Sequence, residues 1–434
     1  MSSSSLAPST LPSDALLTAQ FPSISILVSP FTNRGIYATK HIRKGDVVFT
    51  DSPAFFRQEL ANRRDCIVCA SCAKFIGQLS FMGDVLCRRR TREGALQREL
   101  KPGAPPPPPP PGVPCQAACG EWYCSETCRD AHWKQGGHCL LCVGACKDES
   151  HALAQFKMHA VGTCHDELLA AEAMATMVAR VAFDGTPFGA VLGVLAPFAT
   201  APYHAIVGAG DPAATADALS RNQEGFALLR QGLAERLAAF APNADAAEMA
   251  LKTVASYEVF SGLLGIFELN NLAVDCESPV DRLMFALENQ LADDATVLSE
   301  RLGVDAEADR KALVKHLVLM ANEAQAARIQ DAEGDAVTAA EAVAPGRRFP
   351  GLEGTALFAL GSCMNHSCSP NVESRYDDIE SPATVTVFAT RDIAAGEEIC
   401  HAYIEEEADV RVRRSSLRHY GFTCMCPRCV AESA

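Results

Sequence analysis

The spacing of apolar residues changes along the chain, from short alternating runs near both ends to helical repeats in the middle. Apolar and polar residues alternate in Ile24 to Val28 and Thr384 to Phe388, and Ile42 to Phe49 has the pattern of a tight turn followed by a strand. Ser278 followed by Pro279 is typical of the start of a helix. The segments with apolar residues at helical spacing run from Glu167 to Arg180, Asp217 to Phe240, Leu283 to Leu298 and Ala308 to Gln330.

Length, composition and charge limit the possible functions. The 434 residues, 48% of them hydrophobic, are enough for a large core and about two to four domains. No apolar run reaches the ~18 residues of a spanning helix. Residues 1–20 lack the basic end and apolar block of a secretory signal, so we expect a disordered lead-in and no membrane association. The net charge of -15 argues against direct binding of nucleic acid and favours a basic peptide as partner.

The cysteines indicate metal sites. There are 19 of them, many in close pairs and without a signal peptide, which favours metal ligation over disulfides. Residues 66–142 contain four pairs of ligand-type residues, at spacings that allow one turn to present two ligands to a tetrahedral zinc ion. Cys66 is an alternative to Cys72 in the first pair. The pairs are Cys69 with Cys72, Cys115 with Cys119, Cys124 with Cys128, and His138 with Cys142.

Further candidate binding and catalytic residues lie towards the end of the chain. It contains Asn365, His366 and Cys368 in the sequence Asn-His-Ser-Cys-Ser-Pro-Asn, followed by Tyr403 and a cysteine triplet between Cys424 and Cys429. Asn and His offer fixed donors and acceptors that suit a zwitterionic, purine-bearing cofactor, although such a pair alone is also typical of a hydrogen-bonded turn. The order of an Asn-His motif, a late tyrosine and a cysteine-rich tail resembles the SET-domain protein-lysine methyltransferases.

The cysteine-rich residues 66–142 show a second resemblance. Trp122 to Cys128, together with Trp133 and His138, resembles a MYND zinc finger, a protein-interaction module. That resemblance implies that the first and third pairs share one ion and that the second and fourth share the other. Over roughly residues 24–430 the chain is similar to the SMYD (SET and MYND domain-containing) lysine methyltransferases. Because the chain ends soon after Cys429, it is most similar to the short branch that lacks the C-terminal helical-repeat lobe, represented by the fifth animal member and plant relatives.

The resemblance implies an α+β fold. A β-rich SET core would be split by an inserted MYND zinc finger and a large helical insert, and a zinc-binding post-SET tail would follow. After the lead-in, the expected divisions are the SET N-terminal part at 21–65, the finger at 66–142 with a proline-rich insertion at 74–114, the helical insert at 143–348, the SET catalytic core at 349–408 and the tail at 409–434.

The resemblance also implies site residues. The catalytic residue is Tyr403, whose hydroxyl would orient the lysine amine and the methyl group. Tyr420 and Phe422 would form aromatic walls of the lysine channel. Cys368 would complete a site with Cys424, Cys426 and Cys429, which gives about three zinc ions in all. The expected S-adenosylmethionine contacts are Asn33, Arg34, Gly35, Asn270, Asn271, Asn365, His366, Tyr403 and Phe422.

One of these assignments departs from the family pattern, and another has an alternative. Asn33 stands where the family has the first glycine of a turn against the cofactor, and Asn270 or Asn271 is either a cofactor ligand or a helix cap. The predicted function is S-adenosylmethionine-dependent protein-lysine N-methylation of histone tails. The alternatives are a non-histone substrate, ribosomal or cytosolic, and a catalytically silent zinc-stabilised scaffold or transcriptional co-regulator. We further expect a monomer, a peptide partner for the finger, a role in chromatin regulation, and residence in nucleus and cytoplasm.

Overall fold

The structure, a computed structural model, describes residues 7–8, 18–29, 33–64, 66–77, 112–144, 150–164, 166–208, 211–303 and 349–433. These residues form a mixed α+β fold, with small sheets built from both ends of the sequence and helices from the middle. One large apolar core lies among the strands and a second lies inside the helical bundle. The predicted helix Ala308 to Gln330, most of the lead-in and most of the proline-rich insertion lie outside the described residues.

A five-stranded sheet carries the Asn-His motif and the strand that leads to Tyr403. Its order is β1-β2-β3-β13-β10, and β10 pairs in parallel with β13, so that His366 lies opposite His401. The strands of the molecule are β1 Ala7–Pro8, β2 Ile24–Ser29, β3 Asn33–Ala38, β4 Val47–Asp51, β5 Phe55–Gln58, β6 Val113–Pro114, β7 Trp122–Tyr123, β8 Leu272–Cys276, β9 Leu352–Leu357, β10 Asn365–His366, β11 Val372–Arg375, β12 Val385–Ala389 and β13 Glu398–His401.

Two three-stranded sheets, β11-β12-β4 and β5-β9-β8, complete the β-rich part. Val385, Val387 and Ala389 of β12 are buried, as its alternating pattern predicts. Strand β4 follows a turn at Gly45, whose φ of 85° is left-handed and open to glycine without strain. These strands bring residues that precede position 66 next to residues that follow the helical bundle.

The helical bundle differs from its prediction in one place. The predicted helix Leu283 to Leu298 is two helices, because the chain breaks at Gln290, which has a φ of 58°. The predicted start at Ser278 is present, since its side chain accepts a hydrogen bond from the Val280 N–H. The helices are α1 Glu126–Lys134, α2 His138–Leu141, α3 Ala152–Thr163, α4 Asp166–Asp184, α5 Phe188–Leu192, α6 Tyr203–Val207, α7 Pro212–Phe240, α8 Ala244–Thr253, α9 Tyr257–Asn270, α10 Pro279–Glu288, α11 Ala292–Leu302, α12 Val410–Ser416 and α13 Pro427–Ala431.

Strand β8 lies inside the range 143–348 that the sequence assigned to a helical insert. It pairs antiparallel with β9 along its whole length, from Leu272 opposite Ala356 to Cys276 opposite Leu352. The range is therefore not helical throughout. Since β8 follows directly after α9, the end of α9 lies against the β-rich part.

Among the described residues, no single helix is both long and apolar enough to cross a membrane. Helices α8 and α9 meet that criterion only when taken together, and they are bent by 56° at the break between them.

Candidate active site

A cavity of about 680 Å³ lies between the five-stranded sheet and the helical bundle. It is bounded by the residues before the Asn-His motif, by the end of β13, and by two bundle segments around Pro197 and Asn270. Of the residues predicted to bind cofactor or lysine, those that line it are Arg34, Asn270, Asn271, Asn365, Tyr403, Tyr420 and Phe422.

Tyr403 follows β13 and is held by two hydrogen bonds. Its hydroxyl donates to the Met364 carbonyl at 2.7 Å, and its backbone N–H donates to Nδ1 of His366 at 3.0 Å. Burial, reinforced by the neighbouring Cys400 and Tyr420, raises the pKa of the Tyr403 hydroxyl above its usual value. The phenol therefore keeps its proton at neutral pH and cannot act as a general base there. Because the hydroxyl hydrogen is donated in the hydrogen bond to Met364, the phenol oxygen can accept a hydrogen bond from a ligand in the cavity.

His366 has both ring nitrogens engaged within the protein. Since Nδ1 accepts from Tyr403, the proton of the neutral ring is on Nε2, which lies 3.2 Å from Sγ of Cys368. Burial, and then the charge of Arg413, lowers the pKa of His366 to about 4, so the ring is neutral at physiological pH. His366 does not belong to the described residues that line the cavity. Neither ring nitrogen of His366 is therefore available to bind a cofactor in this structure.

Asn365 connects two strands of the five-stranded sheet. Its Nδ2 donates to the Arg34 carbonyl at 2.9 Å and to Oε1 of Glu398 at 2.7 Å. Gly35 makes this approach possible, because a Cβ there would lie 2.5 Å from the Glu398 carboxylate and 2.7 Å from Asn365 Nδ2. The predicted turn at Asn33 to Gly35 is instead the start of β3, where Arg34 pairs with Val28.

The two asparagines at the end of α9 have different surroundings. The Asn270 side chain accepts from the Ala199 N–H at 2.9 Å and donates to the carbonyls of Ala199 and Ile266 at 2.8 and 2.7 Å. Asn271 is the C-cap of the helix and is exposed at the cavity. Of the two, Asn271 has the more accessible side chain, and its role as a cofactor ligand stays a prediction.

Aromatic rings form one end of the cavity. The rings of Tyr420 and Phe422 lie 5.0 and 6.4 Å from that of Tyr403, and the ring of His401 lies 4.9 Å from it. Burial, and then the proximity of His366, lowers the pKa of His401 to about 4, so this ring is also uncharged. Neutral aromatic faces can hold a methylated ammonium by cation–π attraction. His401 was not among the residues predicted for the site.

Cys368 of the Asn-His-Ser-Cys motif and three thiols of the C-terminal tail form a cluster, the tail cluster, beside Tyr403. The ligand atoms of Cys368, Cys424, Cys426 and Cys429 all lie within 4.8 Å of one another. Cys368 Sγ is 3.9 Å from Cys424 Sγ and 3.5 Å from Cys429 Sγ. Thiolates around a tetrahedral zinc ion, at about 2.3 Å from it, stand about 3.8 Å apart, so this set fits such an ion. The cluster is the one expected from the resemblance.

Residues 66–142 contain two further clusters of the same kind. One consists of Cys69, Cys72, Cys124 and Cys128, and the other of Cys115, Cys119, His138 and Cys142. Each set has its ligand atoms within 4.8 Å of one another, and the pairs interleave as the resemblance implies. All three sets could hold a metal ion.

The choice between Cys66 and Cys72 is resolved by their positions. Cys72 lies 3.7 Å, sulfur to sulfur, from Cys124. Cys66 is buried instead with the apolar residues of the β-rich core, beside Val68 and Phe75. Its carbonyl accepts a hydrogen bond from Gln58.

Comparison with known proteins agrees with this geometry. The SET domain family model matches residues 33–404. The chain is 26% identical to Histone-lysine N-methyltransferase ATXR2 of Arabidopsis thaliana over 465 aligned residues, which cover 92% of this chain and 89% of the relative. It is 43% identical over 89 residues to Protein-lysine N-trimethyltransferase SMYD5 of Homo sapiens, over 20% of this chain and 21% of the relative. It is 44% identical over 77 residues to Histone-lysine N-methyltransferase set5 of Schizosaccharomyces pombe, over 18% of this chain and 24% of the relative.

The chain belongs to the SET domain family, since the family model matches well over half of it.

The site contains residues that the sequence motifs did not point to. Glu398 holds Asn365, Met364 receives the Tyr403 hydroxyl, and Ala199 binds Asn270 through its backbone. Only long-range contacts distinguish these three from other residues of their types.

Proposed function

We propose that this protein is an S-adenosylmethionine-dependent protein-lysine N-methyltransferase that acts on histone tails. The observation that carries the proposal is the position of Tyr403, which lines the cavity and whose hydroxyl donates a hydrogen bond to the Met364 carbonyl. Because the hydroxyl hydrogen is engaged with Met364, the phenol oxygen has lone pairs that can accept a hydrogen bond from a lysine amine. The SET domain match and the names of the relatives support the same reaction.

The cavity suits the cofactor and the reaction. Its volume of about 680 Å³ is within the roughly 300–1,000 Å³ typical of ligand sites. Arg34 and Asn365 line one side, and Asn271 lines another. When bound, S-adenosylmethionine supplies the methyl group. The protein's task is then to align that group with the lysine amine, which is a matter of proximity and orientation.

The aromatic end of the cavity suits the lysine. A lysine amine with a pKa of about 10.4 is mostly protonated at neutral pH and cannot attack until the proton is released. The uncharged rings of Tyr420, Phe422 and His401 lie within 6.4 Å of the Tyr403 ring, and a channel of low polarity disfavours the charged ammonium. The Tyr403 oxygen can then accept a hydrogen bond from the neutral amine and orient its lone pair.

The metal clusters are proposed to hold about three zinc ions, one in each set of four ligands. On that basis residues 66–142 form a MYND finger that binds a peptide partner, and the β-rich core is a SET domain split by this finger and by the helical insert. The chain is then an SMYD-type enzyme of the short branch. Residence in nucleus and cytoplasm, a role in chromatin regulation and a monomeric state belong to the same proposal.

The substrate class is supported by the relatives' names and by charge. Two of the relatives are named for histone lysines, and one is named for protein lysines more broadly. The net charge of -15 favours a basic partner such as a histone tail. A non-histone protein is the alternative, and the experiment below separates the two.

The proposal is tested by incubating the purified protein and radiolabelled S-adenosylmethionine with one substrate at a time. The substrates are each core histone, assembled nucleosomes and a whole-cell extract. Label is expected on a histone band, and amino-acid analysis is expected to locate it on lysine. Label on an extract band alone would identify a non-histone substrate. If protein that has been shown to contain metal and to bind the cofactor transfers no label, the result would contradict the proposed methyltransferase activity and favour a scaffold.

A further inference from the structure

A series of hydrogen bonds runs along the rim of the cavity and joins the sheet to the helical bundle. Asn365 Nδ2 donates to the Arg34 carbonyl, and the Arg34 guanidinium donates to the Pro197 carbonyl. On the other side, the Asn270 side chain holds both the N–H and the carbonyl of Ala199. All five residues line the cavity. The segment Ala196 to Ala199 is thus fastened from two sides, once by a strand and once by a helix.

Close packing holds the chain immediately after this segment against α9. A Cβ at Gly265 would lie 1.7 Å from the carbonyl oxygen of Ala201, so only glycine allows the chain after Ala199 to approach the helix this closely. Asn270 lies further along α9 and is buried, with 8% of its surface exposed. Gly265 and Asn270 therefore act on one stretch of chain, the first by making room for it and the second by hydrogen bonding.

The hydrogen bonds of Asn270 leave it little capacity for a ligand. Both hydrogens of its amide are donated, one to Ala199 and one to Ile266, and Oδ1 already accepts one hydrogen bond. A side-chain amide has two donors and one oxygen with two lone pairs, so a single lone pair remains. A hydrogen bond from Asn270 to a cofactor acceptor would require one of these contacts to break.

We propose that Asn270 and Arg34 are positioning residues that hold Ala196 to Ala199 as a wall of the cavity, so that the helical insert sets the affinity for the cofactor. This inference rests on the proposed function, because it takes the occupant of the cavity to be S-adenosylmethionine. The wall presents Ala196, Pro197 and Phe198, which offer an apolar surface opposite the Asn-His motif. Loosening the wall exposes that surface to water and weakens binding without touching Tyr403.

The test compares Asn270→Ala with Asn62→Ala. Asn62 is a matched control, because it is also a buried asparagine, 4% exposed, that makes three hydrogen bonds and joins distant segments, and it does not line the cavity. The dissociation constant of S-adenosylmethionine is measured by calorimetry, and amide hydrogen exchange is followed by mass spectrometry. In Asn270→Ala we expect roughly tenfold weaker binding, faster exchange across residues 196–202, and kcat within about twofold at saturating cofactor.

Asn62→Ala is expected to lower the melting temperature without changing cofactor affinity or exchange at residues 196–202. Arg34→Met removes the other link to the wall and keeps the Arg34 carbonyl, so it should also weaken binding even if Asn270→Ala does not fold. Unchanged affinity and exchange in the Asn270 and Arg34 variants would overturn the inference. If the wild-type protein does not bind S-adenosylmethionine, the proposed function fails, and so does the claim on affinity. The exchange data would still decide whether Asn270 holds the segment.

Discussion

Nδ1 of His366 accepts a hydrogen bond from the backbone N–H of Tyr403 at 3.0 Å. The other nitrogen of the same ring lies 3.2 Å from Sγ of Cys368, a member of the tail cluster. One imidazole therefore connects the tyrosine of the cavity with a thiol of a cluster that could hold a metal ion. The integrity of the tail cluster should in this way influence the position of Tyr403.

Two substitutions separate the contacts of His366. In His366→Asn the side-chain oxygen can replace Nδ1 and keep the Tyr403 contact, whereas in His366→Gln the amide can replace Nε2 and keep the Cys368 contact. We expect kcat to fall by roughly tenfold in His366→Gln and by less in His366→Asn, because a lost hydrogen bond costs about 1 kcal/mol. Cofactor affinity, measured on the same preparations, should change by less than about threefold. A larger loss in His366→Asn than in His366→Gln would contradict the role given to Nδ1.

Gly35→Ala should disrupt the contact between Asn365 and Glu398. The new Cβ would lie 2.5 Å from the Glu398 carboxylate and 2.7 Å from Asn365 Nδ2, so at least one of the two side chains must move. We expect weaker binding of S-adenosylmethionine, by roughly tenfold, as Asn365 leaves the Arg34 carbonyl. Gly262→Ala is the control, because a Cβ there meets no atom within 4 Å. Equal cofactor affinity in the two variants would show that Gly35 is not needed for close approach.

Cys72→Ser and Cys66→Ala test the assignment of the first finger cluster. Cys72 belongs to the set with Cys69, Cys124 and Cys128, whereas Cys66 packs in the β-rich core. Metal analysis should find about one zinc equivalent less in Cys72→Ser than in the wild type, since zinc needs four ligands in a closed site. Cys66→Ala should keep all its zinc and lose only thermal stability. Loss of zinc from Cys66→Ala alone would reverse the assignment.

Glu167 makes the stability of the bundle depend on pH. Its side chain is fully buried, and neither carboxylate oxygen has a hydrogen-bond partner among the described residues, although His159 Nε2 lies 3.6 Å away. Burial raises the pKa of Glu167 to about 8. In the unfolded chain a glutamate has a pKa of about 4.3, so the folded state binds the extra proton between these values. The stabilisation is complete below about pH 4.3 and is lost as pH rises towards 8.

Glu167→Gln removes this titration while keeping the size of the side chain. The melting temperature of the wild type should therefore fall more steeply than that of the variant between pH 6 and pH 8.5. At pH 8.5 we expect the variant to melt about 2–4 °C higher, as measured by differential scanning calorimetry. If the melting temperatures of wild type and variant change equally with pH across this range, Glu167 is ionised in the folded protein at neutral pH.

Local sequence patterns predicted much of the fold. Ile24 to Val28 and Thr384 to Phe388 lie almost wholly within strands, and Asp217 to Phe240 lies within α7, because amphipathic spacing acts over a few residues. The prediction failed at Leu283 to Leu298, where apolar spacing continues across a break at Gln290. Strand β8 was missed because its pairing with β9 joins residues about 80 positions apart, which no local pattern contains.

The site was predictable where ligand spacing decides it. All three cysteine clusters contain the residues expected from the motifs and the resemblance. The contacts of Asn270 with Ala199 and of Asn365 with Glu398 were missed, because they form only when distant segments pack together. Contact of His366 with the cofactor stays a prediction, and the motif did not show that its ring nitrogens lie against Tyr403 and Cys368.

The most direct test of the central claim compares Tyr403→Phe with Tyr420→Phe. Both tyrosines line the cavity, but Tyr403 is the one whose hydroxyl donates to the Met364 carbonyl. Methyl transfer to histones and cofactor affinity are measured on the same metal-replete preparations. We expect Tyr403→Phe to lose roughly a hundredfold in kcat with cofactor affinity within about threefold, and Tyr420→Phe to lose less than about tenfold. Wild-type transfer rates in Tyr403→Phe, or a larger loss in Tyr420→Phe, would contradict the assignment of Tyr403 as the catalytic residue.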